Sequence, residues 1–405
     1  MKAPLDGLLV LDLSRILAGP TCTQLLGDLG AEIVKIERPG AGDDTRRWGP
    51  PFLEERDGSC DRSAYFLCAN RNKRSVAVDL SKPDGAELIR RLAFRADVLV
   101  ENYKVGGLAK YGLDYPALSP LNRRLVYCSI TGFGQTGPNA RQFGYDALIQ
   151  AMGGIMSLTG EPGGAPMKVG VGIADVVCGL YAANAIQAAL HAREKTGRGQ
   201  HIDIALYDTQ VSWLINEATN YLISGQAPQR RGTAHPNIVP YQVFATADGY
   251  VMLAVGNDAQ FGRFAAAADH SEWADDKRFA TNPSRVANRA ILVPLVANAM
   301  QKRPTGWWVE TLTQAEVPCG PVRDIPAVFA DAQCGSRELK VSLRDQSSAS
   351  GSVTLVGNPI KLSETPITYR VPPPRLGADT IDVLTSQLTL SSSEIAKLQS
   401  SGTIG

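Results

Sequence analysis

Asp175 has the surroundings most typical of a reacting side chain in this 405-residue sequence. A glycine-interrupted apolar stretch, residues 169–174, leads into it, and small or apolar residues with helical spacing follow over residues 176–191. This pattern predicts that Asp175 is the N-cap of a helix, beside free backbone N–H groups and the positive end of the helix dipole. Either Asp175 only caps the helix, or the dipole keeps its carboxylate ionised so that it acts as a nucleophile. The pattern alone does not choose between the two.

Two adjacent arginines, Arg46 and Arg47, lie in a long polar loop over residues 40–51. Ordered loops of this length are often functional, and guanidinium groups hold carboxylates through paired hydrogen bonds. The loop is therefore either a carboxylate-binding element or a solvated basic turn.

The overall charge and the cysteine pattern exclude several classes of protein. The 41 Lys and Arg residues nearly balance the 40 Asp and Glu residues, whereas a nucleic-acid-binding protein has a basic excess. Seven cysteines without a C-x-x-C pair, with only four histidines, argue against disulfides and a zinc site. No long apolar run predicts a membrane span, and the N-terminus leads directly into a strand-like segment without a signal peptide. We expect a cytoplasmic protein with no nucleic-acid or membrane partner.

The first third of the chain alternates strand and helix patterns. The predicted strands are residues 8–13, 31–37, 75–80, 97–101 and 125–130, and the predicted helices between them include residues 21–29 and 83–94. Such alternation predicts a doubly wound, Rossmann-like α/β domain with a parallel sheet. Ligands bind at the carboxyl ends of such strands, where the loops over residues 14–20 and 38–47 lie.

The rest of the chain predicts a second, smaller domain. A strand over residues 201–206 and a helix over 208–224 precede a polar, Pro- and Arg-rich linker at 226–237. Asp248 and Gly249 then separate two apolar stretches, which is typical of a β-hairpin. We expect a large α/β domain over residues 1–224, a small α+β domain over 225–329, and a C-terminal segment, 330–405, that returns to the large domain.

Residues 132–137 match the dinucleotide-binding pattern G-x-G-x-x-G and follow a predicted strand. That fingerprint also needs a helix opening at its end and an acidic residue about 20 positions later. Pro138 and Asn139 interrupt the chain there instead. We therefore expect neither a nicotinamide nor a flavin site.

Several stretches, in order along the chain, together resemble the class III CoA-transferase family, which includes the formyl-CoA and carnitine CoA-transferases. They are residues 17–20, 30–39, 72–75, 101–103, 172–175 and 196–200. The resemblance extends nearly end to end and implies an enzyme that exchanges coenzyme A between carboxylic acids. The nucleophilic aspartate of that family falls on Asp175, and the reaction would pass through an aspartyl-CoA covalent intermediate.

The resemblance also implies which residues contact coenzyme A, the co-substrate. They are Leu17, Ala18, Arg38, Val78, Asp79, Leu80, Ser81, Asn102, Tyr103, Lys104, Lys110, Phe143, Gly144, Tyr145 and Asp146. Arg38 and Lys110 can pair with the phosphates of the coenzyme, although a solvated surface lysine is the alternative for Lys110. No metal is implied.

Within the family, further stretches are most similar to transferases that move CoA from succinyl-CoA to glutarate or hydroxymethylglutarate. They are residues 40–46, 48–52, 127–132, 232–235 and 238–242. The implied acceptor is a short dicarboxylic acid such as glutarate, hydroxymethylglutarate or itaconate, whose second carboxylate would bind Arg46 and Arg47. Where other members have a glycine-rich lid, this chain has residues 233–238 with Pro236. His235 there either contacts the acceptor acid or is a turn residue without a role.

Two other functions stay open. One is a 2-methylacyl-CoA racemase or isomerase, but that branch of the family carries His-Asp where this chain has Tyr145 and Asp146. A phenol with a pKa near 10 is poorly suited to proton transfer at an α-carbon. The other is an acyl-CoA-binding protein without catalysis. The family further implies an interlocked homodimer, located in the cytoplasm or, for a mature eukaryotic chain, in the mitochondrial matrix.

Overall fold

The structure of the protein, a computed structural model, describes residues 2–405. Its strands are β1 (Leu9–Asp12), β2 (Glu32–Glu37), β3 (Lys73–Ala77), β4 (Val98–Glu101), β5 (Val126–Thr131), β6 (His201–Ala205), β7 (Tyr241–Ala245), β8 (Tyr250–Ala254), β9 (Cys319–Pro321), β10 (Lys340–Arg344) and β11 (Ser352–Val356). Its helices are α1 (Ala18–Asp28), α2 (Ala64–Leu67), α3 (Pro83–Arg95), α4 (Tyr115–Leu118), α5 (Asp146–Met152), α6 (Ile155–Leu158), α7 (Ile173–Thr196), α8 (Leu206–Ser212), α9 (Ile215–Ser224), α10 (Asp258–Ala267), α11 (Glu272–Asp275), α12 (Asn282–Ala287), α13 (Arg289–Met300), α14 (Thr305–Gln314), α15 (Ile325–Ala330), α16 (Ala332–Ser336), α17 (Thr380–Leu388) and α18 (Ser392–Ser400).

The described chain divides into two compact units. Unit 1 comprises the chain up to Ile155 together with Lys168–Leu214 and Ala332–Gly405, and unit 2 comprises Met156–Met167 and Ile215–Asp331. The predicted boundaries at 224 and 329 differ from these, since unit 2 starts earlier and takes in a segment upstream of Asp175. The single helix predicted over residues 208–224 is two helices, α8 and α9, because Ile215 has a left-handed backbone conformation with φ of 35°.

A six-stranded sheet in the order β3-β2-β1-β4-β5-β6 forms the centre of unit 1. Every pair of neighbouring strands in it is parallel, as in the pairing of Val10 with Ile33 on one side and with Val98 on the other. The predicted doubly wound α/β architecture is confirmed. The third strand begins and ends earlier than predicted, because the backbone leaves the sheet after Ala77.

Both faces of the sheet are buried, as expected for parallel strands with helices on each side. Alternate residues such as Leu11 and Leu99 contribute to one apolar core, together with side chains of α3 and α17. Their neighbours, such as Val10 and Val98, face the other core, which contains side chains of α1 and α7.

Helices α1 and α7 approach each other closely at Gly179. A Cβ atom at this position would lie 2.6 Å from the carbonyl oxygen of Ala18 and 3.0 Å from Cβ of Thr21, so only glycine allows the contact. This contact places the first turn of α7, which carries Asp175, beside the start of α1.

Helix α7 is long and apolar enough to cross a membrane by length and composition alone, with a mean hydropathy of 1.5 over an 18-residue window. Half of that window is buried inside the structure, where Cys178, Ala182 and Ile186 pack in the core. Core helices meet the same criterion. The length of this apolar helix was not foreseen, because the sequence prediction of helix ended at residue 191.

Unit 2 contains a three-stranded antiparallel sheet in the order β7-β8-β9. The predicted hairpin over β7 and β8 is confirmed, with Tyr241 opposite Ala254. The core of this unit is formed by large side chains of its sheet and helices, among them Phe261, Phe264 and Trp308.

Buried charges fix the loop that follows β1 in unit 1. The carboxylate of Asp12 accepts hydrogen bonds from Ser14, Thr23 and the ammonium group of Lys73, at 3.2 Å for Lys73. Lys35 donates to the carbonyl oxygen of Ser14 at 2.9 Å and to Asp43 at 3.0 Å. Burial by itself would raise the pKa of Asp12, but Lys73 and Lys35 hold that pKa below its ordinary value. Asp12 therefore stabilises the fold above pH 4, and this contribution is lost as the pH falls through its lowered pKa.

Replacing Asp12 by alanine is expected to lower the free energy of unfolding by about 3–5 kcal/mol at pH 7, because it leaves the buried ammonium group of Lys73 without its carboxylate. Urea denaturation monitored by circular dichroism measures this. The control is Asp6→Ala, which removes only the exposed pair with Lys2 at 3.9 Å and should change stability by less than about 1 kcal/mol. Equal effects of the two substitutions would contradict the role of the buried pair.

Candidate active site

A cavity of about 530 Å³ lies at the carboxyl ends of the central strands of unit 1. The strand order reverses between β1 and β4, and this switch point is where open α/β sheets bind ligands. The cavity is lined by residues of the loops after β1, β4 and β5, by the end of β5, and by one residue each of α1, α7 and α8. They are Arg15, Ile16, Ala18, Asn102, Tyr103, Lys104, Val105, Gly107, Lys110, Tyr111, Ile130, Thr131, Gly132, Ala140, Arg141, Gln142, Phe143, Gly144, Tyr145, Asp175 and Leu206. Asp175 thus shares one cavity with eight of the predicted coenzyme A contacts, which come from four separate places in the sequence.

Asp175 is in the first turn of α7 but is not its N-cap. The helix begins at Ile173, with Gly172 as the N-cap, so Asp175 is the third helical residue and the N-cap prediction is wrong. The carboxylate that caps the helix belongs to Asp146, which accepts hydrogen bonds from the backbone N–H of Ala174 at 2.9 Å and, more weakly, of Asp175 at 3.5 Å. The helix start lies three residues earlier than predicted because a carboxylate 28 residues upstream of Ala174 satisfies free N–H groups of the first turn.

Gln150 holds Asp146 in this capping position. Its side-chain nitrogen donates to Asp146 at 2.7 Å, and its oxygen accepts from the backbone N–H of Val169 at 2.8 Å. This fully buried amide therefore links the capping carboxylate to the glycine-interrupted segment that leads to Asp175.

Burial and, to a smaller extent, the neighbouring negative charge of Asp146 together raise the pKa of Asp175 to about 7. The side chain is 7% exposed, and no hydrogen bond to its carboxylate is present among residues 2–405. The raised pKa means that Asp175 is only partly ionised at pH 7, contrary to the expectation that the helix dipole keeps it ionised. Desolvation and a like charge outweigh the dipole, so that Asp175 carries a poorly solvated carboxyl group that titrates near neutral pH.

Four cationic side chains line the same cavity, namely Arg15, Lys104, Lys110 and Arg141. Arg15 pairs with Asp44 at 2.7 Å. The other three have no carboxylate within 4 Å in the described part of the chain, and Lys104 lies 3.7 Å from the ring centroid of Phe143. Asp175 is the only acidic residue in the lining, so the cavity suits a polyanionic ligand.

The loop after β1 is held in an unusual conformation beside this cavity. Ile16 has φ of 73°, which is uncommon for a β-branched residue, and its N–H donates to the carboxylate of Asp43 at 3.2 Å. The side chain of Asn102 binds the backbone of Arg15 from the other side, accepting from its N–H at 2.9 Å and donating to its carbonyl oxygen at 2.7 Å. Asn102, a predicted coenzyme A contact, thus joins the loops after β1 and β4 with its side-chain amide.

The G-x-G-x-x-G segment contributes close backbone packing to the cavity wall. A Cβ atom at Gly132 would lie 2.6 Å from the Cα atom of Gly144, which brings residues 143–145 against the end of β5. No helix starts at the end of the motif, since α5 begins only at Asp146.

The remaining predicted coenzyme A contacts lie outside the cavity lining. Leu17 packs beside the turn before Asp175, because a Cβ at Gly172 would lie 3.0 Å from Leu17 Cδ2. Arg38 follows β2, and the side chains of Val78, Asp79, Leu80 and Ser81 follow β3, at the same edge of the sheet. Val78 is buried and pairs with Ile404, and the carboxylate of Asp79 accepts from Ser81 at 2.6 Å. Contact of these residues with coenzyme A stays a prediction.

The structure does not support Arg46 as a substrate-binding residue. Its guanidinium group is 2% exposed and forms a two-point ion pair with Glu37, at 2.8 and 2.7 Å, beneath the ring of Phe66. It also donates to the carbonyl oxygen of Pro374. The sequence pattern could not show this pairing, because the carboxylate partner lies on the preceding strand.

The other two predicted acceptor contacts differ from Arg46 in exposure and place. Arg47 is exposed, with one weak hydrogen bond to the carbonyl oxygen of Gly40 at 3.4 Å. His235 is in unit 2, where its ring stacks on Tyr241 at 5.2 Å and its Nδ1 accepts from the N–H of Asn237. Burial lowers the pKa of His235, so the ring is neutral at pH 7.

Several residues near Asp175 were missed by sequence reasoning. Arg15 and Arg141 line the cavity, but neither was singled out, although Arg15 lies in the loop over residues 14–20 that was expected to meet a ligand. Burial raises the pKa of Tyr65 to about 12, and the charge of Asp175 contributes, which shows that this phenol lies within electrostatic range of the carboxyl group. Trp48 packs edge-on against Tyr65 with ring centroids 5.1 Å apart. Trp48 lies in a loop and Tyr65 in the four-residue helix α2, and neither has a local sequence pattern that separates it from a surface residue.

The chain is similar to known proteins over nearly its whole length. The model of CoA-transferase family III matches residues 5–380. A succinate–glutarate CoA-transferase of Agrobacterium fabrum is 48% identical over 389 residues, covering 96% of this chain and 97% of that protein. The human succinyl-CoA:glutarate CoA-transferase is 41% identical over 401 residues, covering 99% of this chain and 90% of that protein. A crystal structure of a CAIB/BAIF family protein from Brucella suis has a TM-score of 0.85 at 47% identity, covering 96% of this chain and all of that one.

Replacing Asp175 by asparagine is expected to stabilise the fold above neutral pH, because it removes the unfavourable ionisation of a buried carboxyl group. Its folded-state pKa of about 7 lies above the unfolded value, so ionisation lowers stability progressively as the pH rises from 4 to 7. The gain from Asp175→Asn should therefore be larger at pH 8 than at pH 5.5 and reach on the order of 2–4 kcal/mol. Urea denaturation at both pH values measures it.

The matched control is Asp84→Asn, because Asp84 is an exposed aspartate in the first turn of α3. It should change stability by less than about 1 kcal/mol at either pH. A gain from Asp175→Asn that is the same at both pH values, or absent, would refute the raised pKa.

Proposed function

The chain belongs to CoA-transferase family III, and from this membership we propose that it moves coenzyme A from succinyl-CoA to glutarate through a covalent intermediate on Asp175. Both curated relatives described above carry names that pair succinate or succinyl-CoA with glutarate. The observation that carries the proposal is the single buried carboxyl group of Asp175 in a cavity whose other charged residues are all cations. A nucleophile and a polyanion site in one cavity are what transfer of an acyl-CoA group requires.

The proposed first half-reaction uses Asp175 twice. Its carboxylate oxygen attacks the thioester carbonyl of succinyl-CoA, the C–S bond breaks, and a succinyl–aspartyl anhydride and CoA thiolate form. The thiolate then attacks the side-chain carbonyl carbon of Asp175, which gives an aspartyl-CoA thioester and releases succinate.

The second half-reaction reverses these steps with the acceptor. A carboxylate oxygen of glutarate attacks the aspartyl thioester and expels the thiolate. The thiolate attacks the glutaryl carbonyl of the resulting anhydride, so that glutaryl-CoA forms and the Asp175 carboxylate is regenerated. No proton is consumed overall, and the thioester bond energy is conserved between the two acids.

The environment of Asp175 suits this role. A carboxylate that accepts no hydrogen bonds is less stabilised than one in water, and so it reacts more readily with a carbonyl carbon. The raised pKa means that the nucleophilic form predominates only above about pH 7. Water must be kept from the anhydride and the thioester, since either is hydrolysed when solvent reaches it.

The cations of the cavity would hold the coenzyme. Lys104, Lys110 and Arg141 lack carboxylate partners and are available for its phosphate groups. Arg38, at the neighbouring strand end, is a further candidate for the same ligand. With Arg46 engaged by Glu37, we keep Arg47 and His235 as the candidates for the second carboxylate of the acceptor.

We also propose that the protein is a homodimer located in the cytoplasm. Three adjacent helices of unit 1, α5, α7 and α8, leave large apolar side chains exposed, including Met152, Leu180 and Tyr181. An apolar surface of this kind supports a protein–protein interface. All seven cysteines are free, which agrees with a reducing compartment.

With succinyl-CoA as donor, the purified protein is expected to convert glutarate to glutaryl-CoA faster than it converts the other acids of a panel. The panel contains hydroxymethylglutarate, itaconate, malate and the monocarboxylate butyrate, and chromatography of the CoA esters measures each product. Butyrate is the matched control because it lacks the second carboxylate. Failure of every dicarboxylate, or equal use of butyrate, would overturn the proposed substrate class.

Substitution of Asp175 by asparagine or alanine is expected to lower the transfer rate by on the order of 10³-fold or more, because no covalent intermediate can form. Mass spectrometry of the wild-type protein, treated with hydroxylamine during turnover, should show a hydroxamate on the peptide containing Asp175. The control variant Asp84→Asn should retain full activity. An unmodified Asp175 peptide in the wild type, or full activity in Asp175→Ala, would refute the covalent route.

A further inference from the structure

Unit 2 has a cavity of its own, with a volume of about 670 Å³. Its walls are formed by Glu161 and Pro162, by the segment 230–234, by residues of β7 and β8, and by the start of α13. All of these residues lie within unit 2, so the cavity is a property of that unit alone.

Three arginines line this cavity against one acidic residue. Arg230, Arg231 and Arg289 face Glu161, and Glu217 lies 3.8 Å from Arg231 outside the lining. No carboxylate lies within 4 Å of Arg230 or Arg289 in residues 2–405. Counting both glutamates, the three guanidinium groups give this region a net charge of +1.

The donors of Arg230 and Arg289 are only partly used. Arg230 donates from Nη2 to the carbonyl oxygen of Gly164, and its Nε is buried without any partner. Arg289 uses Nη2 for the carbonyl oxygens of His235 and Pro236, at 2.7 and 2.9 Å, while its Nε and Nη1 make no hydrogen bond in the described chain. A buried donor without an acceptor is uncommon and calls for an explanation, of which a bound ion or water is one.

The electrostatics agree with this geometry. Burial lowers the pKa of Arg289, and the like charge of Arg231 adds to the effect. The guanidinium groups of Arg289 and Arg231 lie near each other, and no carboxylate pairs with Arg289. A bound anion would stabilise such an arrangement.

The rest of the lining is apolar or neutral. Val243, Val293 and Pro294 provide apolar surface, and Gln242 and Tyr250 provide neutral polar groups. A charged end beside apolar walls fits a carboxylate on a short aliphatic chain better than a compact inorganic anion, which is charged all round.

We propose that the cavity bounded by Arg230, Arg231 and Arg289 is a binding site for a short aliphatic carboxylic acid. The carboxylate would accept hydrogen bonds from the free donors of Arg289 and Arg230, with Arg231 contributing charge, and the aliphatic chain would contact Val243 and Val293. This proposal does not depend on the transfer reaction proposed above.

Isothermal titration calorimetry of the full-length protein, without any CoA compound present, tests the proposal. Glutarate and butyrate should bind saturably, and inorganic phosphate should bind more weakly than either. Arg289→Gln and Arg231→Gln should each weaken acid binding by about tenfold. Arg289→Lys, which keeps the charge but loses the planar fork, should weaken it less. The control is Arg303→Gln, an exposed arginine outside the lining, which should leave binding unchanged.

Thermal unfolding of each variant shows whether it is folded, and the remaining substitutions carry the test if one is not. Unchanged acid binding in folded Arg231→Gln and Arg289→Gln would overturn the proposal, and so would the absence of measurable binding to the wild type. Phosphate binding as tight as that of glutarate would overturn the choice of an aliphatic acid. Because binding is measured without CoA, loss of the proposed transfer activity would leave this result unaffected.

Discussion

Two carboxyl groups meet at the start of α7, and the free N–H groups of the helix can stabilise only one of them. Asp146 accepts those hydrogen bonds and is held in place by Gln150. Asp175 is left buried, without a hydrogen-bond donor and beside a negative charge, so ionising it is unfavourable. The close packing of α7 on α1 at Gly179 places this first turn of α7 beside the start of α1. The reactivity proposed for Asp175 therefore has its origin in the capping of the helix by another residue.

The sheet brings the rest of the cavity to this carboxyl group. Because all its strands are parallel, the loops after β1, β4 and β5 meet at one edge, and the reversal of strand order between β1 and β4 leaves room for a ligand there. Buried ion pairs then fix the loop conformations, with Asp43 holding the backbone of Ile16 and Lys35 holding both Asp43 and Ser14. The charges beneath the loops are thus neutralised by partners inside the fold, whereas three of the cations in the cavity are not.

Local patterns were sufficient to predict the architecture of unit 1 and the hairpin of unit 2. Alternating apolar strands and amphipathic helices depend on residues within a few positions of each other, and a helix between consecutive strands implies a parallel sheet. The patterns failed where a distant residue decides the outcome. Asp146 caps α7 from 28 residues upstream, which moved the start of the helix away from Asp175. The left-handed backbone at Ile215 divided a helix whose apolar pattern is continuous in the sequence.

The same limit explains why the sequence placed Asp175 in the site but could not show which of the basic residues around it are available to bind a ligand. Arg46, Lys104 and Arg141 are all cations in or near loops after strands, and nothing local to them differs in kind. Arg46 is engaged by Glu37, across the turn that follows β2, whereas Lys104 and Arg141 face the cavity without a carboxylate. Pairing is a property of the folded chain, since it depends on which strands become neighbours and how deeply each side chain is buried. A basic residue is therefore available to a ligand only where the fold has left it unpaired. Family resemblance identifies the position of such a residue but does not show whether it is paired.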